Sequence, residues 1–288
     1  MPQSVSIASG KLGATISSLG AELVRLHTIA GEELIWDGNP AVWAGRSPLL
    51  FPIVGAVRDD RIKVSGRSHP MSRHGFARTS TFELLDAQPS HCTWRLRPND
   101  ETLKRYPFAF RLDVTYVLDG DRLMLRASVA NEGDGAMPAS FGFHPAFRWP
   151  LLPGLPREQH EVRFEKPEPA PIRRLANGLL GAAVPSPVEG TRLALADSLF
   201  VDDALIWDRL QSRSLIYHGP AGPTLQLDFA GMPHLGIWSK PGAGFICLEP
   251  WQGFASPADF DGELSEKPGI ALIPPGSTRI HELSVTVR

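Results

Sequence analysis

Strict alternation of apolar and polar side chains marks the middle of the chain. Leu112, Val114, Tyr116 and Leu118 fall on one face of an extended segment, with Arg111, Asp113 and Thr115 on the other. After Asp119-Gly120-Asp121 the pattern resumes at Leu123, Leu125, Ala127 and Val129. A period of two is that of a half-buried strand, and a short glycine-containing break between two such runs predicts a β-hairpin. The same alternation at Leu225, Leu227 and Phe229, and at Leu283, Val285 and Val287, predicts two more strands, with a shorter one over 93–97. Phe245-Ile246-Cys247-Leu248 is an unbroken apolar run, read as a buried strand that Pro250 ends. Helical periodicity is scarce: residues 100–106, stopped by Pro107, form the best short helix the pattern supports.

Composition sharpens this picture. Glycine and proline number 27 each and punctuate the chain at short intervals, as a many-stranded β protein requires. The proline-dense stretch 150–187 reads either as a linker between two domains or as long loops crossing one large sandwich. Strand-like segments of similar style on both sides favour the loops. The expectation is an all-β fold, a large twisted β-sandwich with few short helices, in which residues 1–288 form a single domain. A hydrophobic fraction of 42% supports a substantial core, and a chain of 288 residues buries roughly three quarters of its unfolded surface without needing a disulfide or metal staple. The formal charge of −2 offers no electrostatic attraction for nucleic acid or an anionic membrane. Cys92 and Cys247 belong to no paired-cysteine or metal-type motif. The first residues carry no basic and apolar leader pattern, and no run approaches a membrane span. These features lead to the expectation of a soluble cytoplasmic protein.

Three segments concentrate ionisable residues beside aromatic ones: Arg73-His74-Gly75-Phe76-Ala77-Arg78, Phe143-His144-Pro145-Ala146-Phe147 and Cys247-Leu248-Glu249-Pro250-Trp251. A carboxylate can take a proton from a hydroxyl and an imidazolium can return one to a ring oxygen, while aromatic faces pack on the apolar side of a pyranose. Taken alone, each residue has a plainer reading. Glu249 suits a salt-bridged strand end as well as a partly desolvated base. His144, among Phe141, Phe143, Phe147 and Trp149, suits a satisfied core histidine, a pocket wall or a general acid. His74 lies between Arg73 and Gly75, where arginines can hold hydroxyls or anions, or simply solvate a turn. Asp202 and Asp203 precede an apolar run as turn residues often do. Arg58, Arg61, Arg67, Arg73 and Arg78 make one stretch basic, but Asp59 and Asp60 dilute it. Nucleotide-binding glycine loops, a His-Glu-x-x-His zinc motif and a Gly-x-Ser-x-Gly elbow are all missing. Proton transfer without a cofactor or metal is the chemistry these residues suggest.

In their order along the chain, these segments resemble the aldose 1-epimerase (mutarotase) family, and most its branch related to LacX proteins. The resemblance begins with Gly20-Ala21-Glu22-Leu23, Ile35-Trp36-Asp37-Gly38, Trp43 and Pro48-Leu49-Leu50-Phe51-Pro52-Ile53-Val54-Gly55. It continues through His74 to Arg78, Phe141 to Pro145, Asp203 to Ile206 and Glu249-Pro250-Trp251, and closes with Lys267-Pro268-Gly269-Ile270 and the run from Leu272 to Gly276. It implies a galactose-mutarotase-type sandwich with a sugar in an open cleft on one sheet. It also implies that Glu249 acts as general base on the anomeric hydroxyl, that His144 acts as general acid toward the ring oxygen, and that His74 steadies the developing charge. Asp203 matches an acid that binds sugar hydroxyls, and Trp251 a cleft wall. The partner implied is a small-molecule sugar, free or phosphorylated, with the protein a monomer or loose homodimer. One departure stands out: where this branch leads one to expect an arginine reaching the sugar, the chain has Ala56. Arg58, Arg61 or Arg78 is the expected substitute, and Arg58 and Arg78 join the sugar-contact set on that basis. The alternatives on the same scaffold are a hexose-6-phosphate 1-epimerase and a non-catalytic sugar-binding protein.

Overall fold

The computed structural model describes residues 2–288. Its elements are almost entirely strands, with one α-helix, Asp100–Arg105, and a few 3₁₀ turns among the described residues. The central hairpin forms as the alternation predicts. Strands Phe110–Asp119 and Arg122–Asn131 pair in antiparallel register from Asp119↔Arg122 to Phe110↔Asn131. Leu112, Val114, Tyr116, Leu118, Leu123, Leu125, Ala127 and Val129 are all buried. The helix is short because its start is fixed by Asn99, whose side chain accepts from the Thr102 N–H in a reciprocal capping box, and Pro107 follows its end.

Two large sheets carry the architecture. In the nine-stranded sheet the hairpin is continued on one side by His91–Leu96 and Glu83–Gln88. On the other side Thr278–Val287 leads through Thr224–Asp228 and Ser214–His218 to Glu161–Phe164 and Arg192–Ala194. The second sheet runs Leu179–Val184, Ile172–Ala176, Leu205–Trp207, His234–Trp238, Phe245–Gln252, Phe141–Phe143, Leu49–Leu50, with Ala146–Arg148 also paired to Phe245–Gln252. Side chains from both sheets share one apolar core, where Leu112 and Val114 of the first meet Leu205, Ile237 and Leu248 of the second in a single cluster. This is the large β-sandwich with few short helices that the alternation predicts. No helix among the described residues is long and apolar enough to cross a membrane.

Two expectations need correction. The stretch 150–187 is not only loops: Glu161–Phe164 joins the nine-stranded sheet, and Ile172–Ala176 with Leu179–Val184 forms the edge of the other. Runs of four to six residues between prolines are too short for alternation to show. Nor does Pro250 end its strand, which continues to Gln252. The neighbour on one side changes there, from Ala146–Arg148 against residues 245–247 to Phe141–Phe143 against 251–252. The Leu248 N–H points to that side and donates to the Pro145 carbonyl, so position 250 would point its N–H into the break. A residue without an N–H leaves nothing unsatisfied in that position.

Candidate active site

The break in the strand ladder is also where the site forms. Along Phe245–Gln252, Ile246 and Leu248 enter the main core, while Cys247, Glu249 and Trp251 face the other way. His144 sits in the two-residue gap between the neighbouring strands, opposite Glu249. Its Nε2 is 3.0 Å from Glu249 Oε2. Glu249 is 1 % exposed and His144 7 %. Both therefore sit at the floor of a cleft of about 160 Å³ that is also lined by Trp43, Gly55, Arg73, His74, Arg78, Asp203, Trp238 and Trp251.

Of the seven site residues expected from the sequence, the fold brings six to this cleft: Glu249, His144, His74, Asp203, Arg78 and Trp251. Arg58 is the exception. It lies on the 3₁₀ turn Arg58–Asp60, its side chain is 49 % exposed and 3.9 Å from Asp59, and it lines a separate depression with Arg61 and Lys63. The turn carries the side chain away from the cleft, so neither Arg58 nor Arg61 stands in for the arginine missing at Ala56.

His74 is held by its backbone. It adopts φ 67°, and Gly75 follows at φ 72°. A Cβ at Gly75 would lie 2.1 Å from the Phe51 carbonyl oxygen, so only glycine allows this turn to approach the strand Leu49–Leu50 and its continuation. The His74 N–H donates to Gly55 O at 2.8 Å, and the Gly55 N–H donates back to His74 Nδ1 at 3.1 Å. An accepting Nδ1 leaves the proton of the neutral ring on Nε2, as a donor. Its ring meets that of His144 edge-on at 5.8 Å between centroids. Asp203 also has a left-handed backbone, φ 66°, and its carboxylate accepts from the Ala204 N–H at 2.8 Å. Non-glycine residues held in this region cluster at functional sites.

Three tryptophans enclose the floor. Trp43 stacks on His144 at 5.3 Å and 27°, and Trp238 meets it edge-on at 6.2 Å. Trp251 lies across two glycines of the flanking strands: a Cβ at Gly236 would be 2.2 Å from its ring, and one at Gly142 2.6 Å. Trp238 escaped the sequence reading, although the alternation His234, Gly236, Trp238 opposite Leu235 and Ile237 would have put it on the face of Glu249 once the pairing of the two strands was known.

Dryness sets the electrostatics. Burial, followed by the Asp203 charge, holds the Glu249 carboxyl well above the usual carboxylate range. Burial pushes His144 down to about 3. His74 is lowered well below the ordinary imidazole value by burial, then by His144, Arg78 and Arg73. Burial and the neighbouring Arg73 lower Arg78, whose Nη2 donates to the Arg73 carbonyl at 3.0 Å. His144, Cys247 and Glu249 each offer a ligand atom, all within 4.8 Å of one another. The Cys247 thiol, however, is pushed well up by burial and then by Glu249, and a protonated thiol is a poor metal ligand. A carboxyl and an imidazole in contact, with a second imidazole as a donor nearby, can move a proton onto one oxygen of a ligand and off another.

The aldose 1-epimerase family model matches residues 3–264. The LacX protein of Lactococcus lactis subsp. lactis is 32% identical over 295 residues, covering 98% of this chain and 99% of its own. Among solved structures, a galactose mutarotase related enzyme from Lactobacillus acidophilus superposes with a TM-score of 0.92 at 31% identity, covering 99% of this chain and 97% of that one. A galactose mutarotase-like protein from Lactobacillus casei ATCC 334 also gives 0.92, at 30% identity, covering 99% and 100%. The sandwich is thus of the galactose-mutarotase type, and relatives this similar from end to end, together with the family model, place the chain in the aldose 1-epimerase family.

Proposed function

We propose that this protein interconverts the α and β anomers of a free aldohexose. The observation that carries the reading is the buried Glu249–His144 contact at the floor of a cleft walled by indoles. Glu249 takes the proton of the anomeric hydroxyl, the bond from C1 to the ring oxygen breaks as the aldehyde forms, and His144 gives a proton to that oxygen. Rotation about C1–C2 and the reverse transfers close the other anomer. In the empty, dry cleft burial favours the neutral form of both groups, the carboxyl protonated and the imidazole neutral. The hydroxyls of a bound sugar supply the polar partners that favour the carboxylate and imidazolium form. His74 Nε2–H donates to the oxygen on which charge develops. Asp203 and Arg78 hold ring hydroxyls, and Trp251 packs on the apolar face of the sugar. The cleft, at 160 Å³, is smaller than the about 300–1,000 Å³ of sites for drug-sized ligands, which suits one monosaccharide rather than a chain.

Polarimetry of freshly dissolved α-glucose and α-galactose tests this, with Glu249→Gln as control. Faster equilibration by the native protein, largely lost in the variant, is the expected result. One observation favours a second reading, a hexose-6-phosphate epimerase: Arg73 and Arg78 line the cleft without an ion pair among the described residues. Acceleration confined to glucose 6-phosphate in a coupled assay would select it. A folded protein that binds sugar yet accelerates none of these would be a binding protein instead.

A further inference from the structure

Arg73 sits at the rim of the cleft, one residue before the strained His74, and its side chain crosses to the opposite wall. That wall is the turn Asn177-Gly178 joining the edge strands Ile172–Ala176 and Leu179–Val184. Gly178 has φ +82°, and a Cβ built there would lie 2.8 Å from Arg73 Nη2, 3.8 Å from its Cζ and 3.8 Å from the Ala56 methyl. The guanidinium therefore packs where Gly178 has no side chain, and Ala56, with only a methyl, borders the same space. Residues at 56 or 178 of ordinary size would compete for it.

A guanidinium has five N–H donors. Among the described residues those of Arg73 make no hydrogen bond and face no carboxylate within 4.0 Å, unlike Arg25, Arg95 and Arg173, each paired to an acid. A like charge lies close by: Arg78 donates to the Arg73 carbonyl, and Arg73 lowers its basicity. Ion pairing within the protein does not account for this placement. Arg73 is exposed at the cleft mouth, so water satisfies its donors in the free protein and oxygen acceptors of a ligand would take water's place.

We propose that Arg73 is a sugar-binding residue that sets substrate affinity, its guanidinium seated in the space left by Gly178 and Ala56 and donating to oxygens of the sugar at the cleft mouth. This rests on the anomer-interconverting reading of the site. It differs from that reading in assigning Arg73 to binding and not to the proton transfers at the floor, so its removal raises KM and leaves kcat nearly unchanged.

The test is polarimetric kinetics on the full chain over a range of α-galactose and α-glucose concentrations. Arg73→Ala is expected to raise KM about ten- to a hundredfold, the range of a hydrogen bond to a charged group, with kcat within about threefold. Ala56→Leu, which fills the guanidinium's space, should raise KM too, and the double variant should be no worse than Arg73→Ala alone. Arg61→Ala, whose side chain bonds Ser68 away from the cleft, serves as the control with unchanged KM. An unchanged KM in Arg73→Ala, or a fall in kcat alone, overturns this inference while leaving the enzyme reading intact. A native protein that neither turns over these sugars nor binds them by calorimetry overturns both.

Discussion

Glu249 and His144 form a pair whose members are each disfavoured in their charged form by burial, with Nε2 and Oε2 3.0 Å apart at the floor of the cleft. That arrangement makes definite demands on variants. Glu249→Gln and His144→Asn each remove one end of the relay and should lower kcat by about 10²–10⁴-fold, the usual size of a general acid or base contribution, with little change in sugar binding by calorimetry. The pH profile follows from the same shifts. Catalysis needs one proton on the pair: it is lost on the alkaline side as the raised carboxyl ionises with the imidazole neutral, and on the acid side only when both groups are protonated. Since burial puts His144 near 3, kcat/KM should not fall as the pH drops through the ordinary imidazole value of about 6.5 toward 5. A limb near 6.5 that disappears in His144→Asn would contradict this. The sequence singled out both residues, but local sequence left each with an innocent alternative. A carboxylate at a strand end and a histidine among phenylalanines become a site only when the ladder breaks between 143 and 146.

Among the elements, the strand Phe245–Gln252 and the turn around His74 do most to place the chemistry. The turn depends on Gly75, because any Cβ meets the Phe51 carbonyl oxygen and must adopt a left-handed backbone as well. Gly75→Ala should cost at least about 2 kcal/mol in urea denaturation, the left-handed penalty plus the backbone clash, and should lower kcat by displacing His74. Wild-type stability in that variant would show that the turn can move aside. The strand was legible as a buried run, and the hairpin Phe110–Asp119 with Arg122–Asn131 was legible almost residue by residue, because the alternation over 111–118 and 123–129 leaves one register that buries Leu112, Val114, Tyr116 and Leu118 with Leu123, Leu125, Ala127 and Val129. Pro250 was misread because its local rule assumes a continuous neighbour. Within 150–187 the strands were illegible because four to six residues give too little periodicity to separate from loop.

For the molecule as a whole, the buried histidines set the response to acid. Burial lowers His144 and His281 to about 3 and His234 to about 4. Above about pH 6.5 neither state is protonated at these sites, so they contribute their full stability. As pH falls below 6.5 the unfolded chain takes up protons that the folded one refuses, and stability falls by up to about 1.4 kcal/mol per pH unit for each group until the folded values are reached. At pH 5.5 these three groups by themselves remove up to about 4 kcal/mol relative to pH 7, offset in part by Glu249, whose raised carboxyl acts in the opposite direction, so His281→Phe should lessen the fall in Tm between pH 7 and 5.5. The fold is proposed to respond as one unit over 1–288. Near-ultraviolet and far-ultraviolet circular dichroism melts should superimpose, and two separate transitions would argue for independent domains.

Strand content, the sandwich class and the ordered set of segments carrying His74, His144, Asp203 and Glu249 were determined by the sequence itself, since period-two burial and local turn chemistry act over a few residues. The tertiary structure decided what depends on pairing between distant segments. It set Glu249 opposite His144, stacked Trp43 on that imidazole with Trp238 edge-on to it, sent Arg58 to a different depression and laid Arg73 beside Gly178. Side-chain direction at a turn or in a gap between strands follows from neighbours far away in the chain, and no local pattern encodes them.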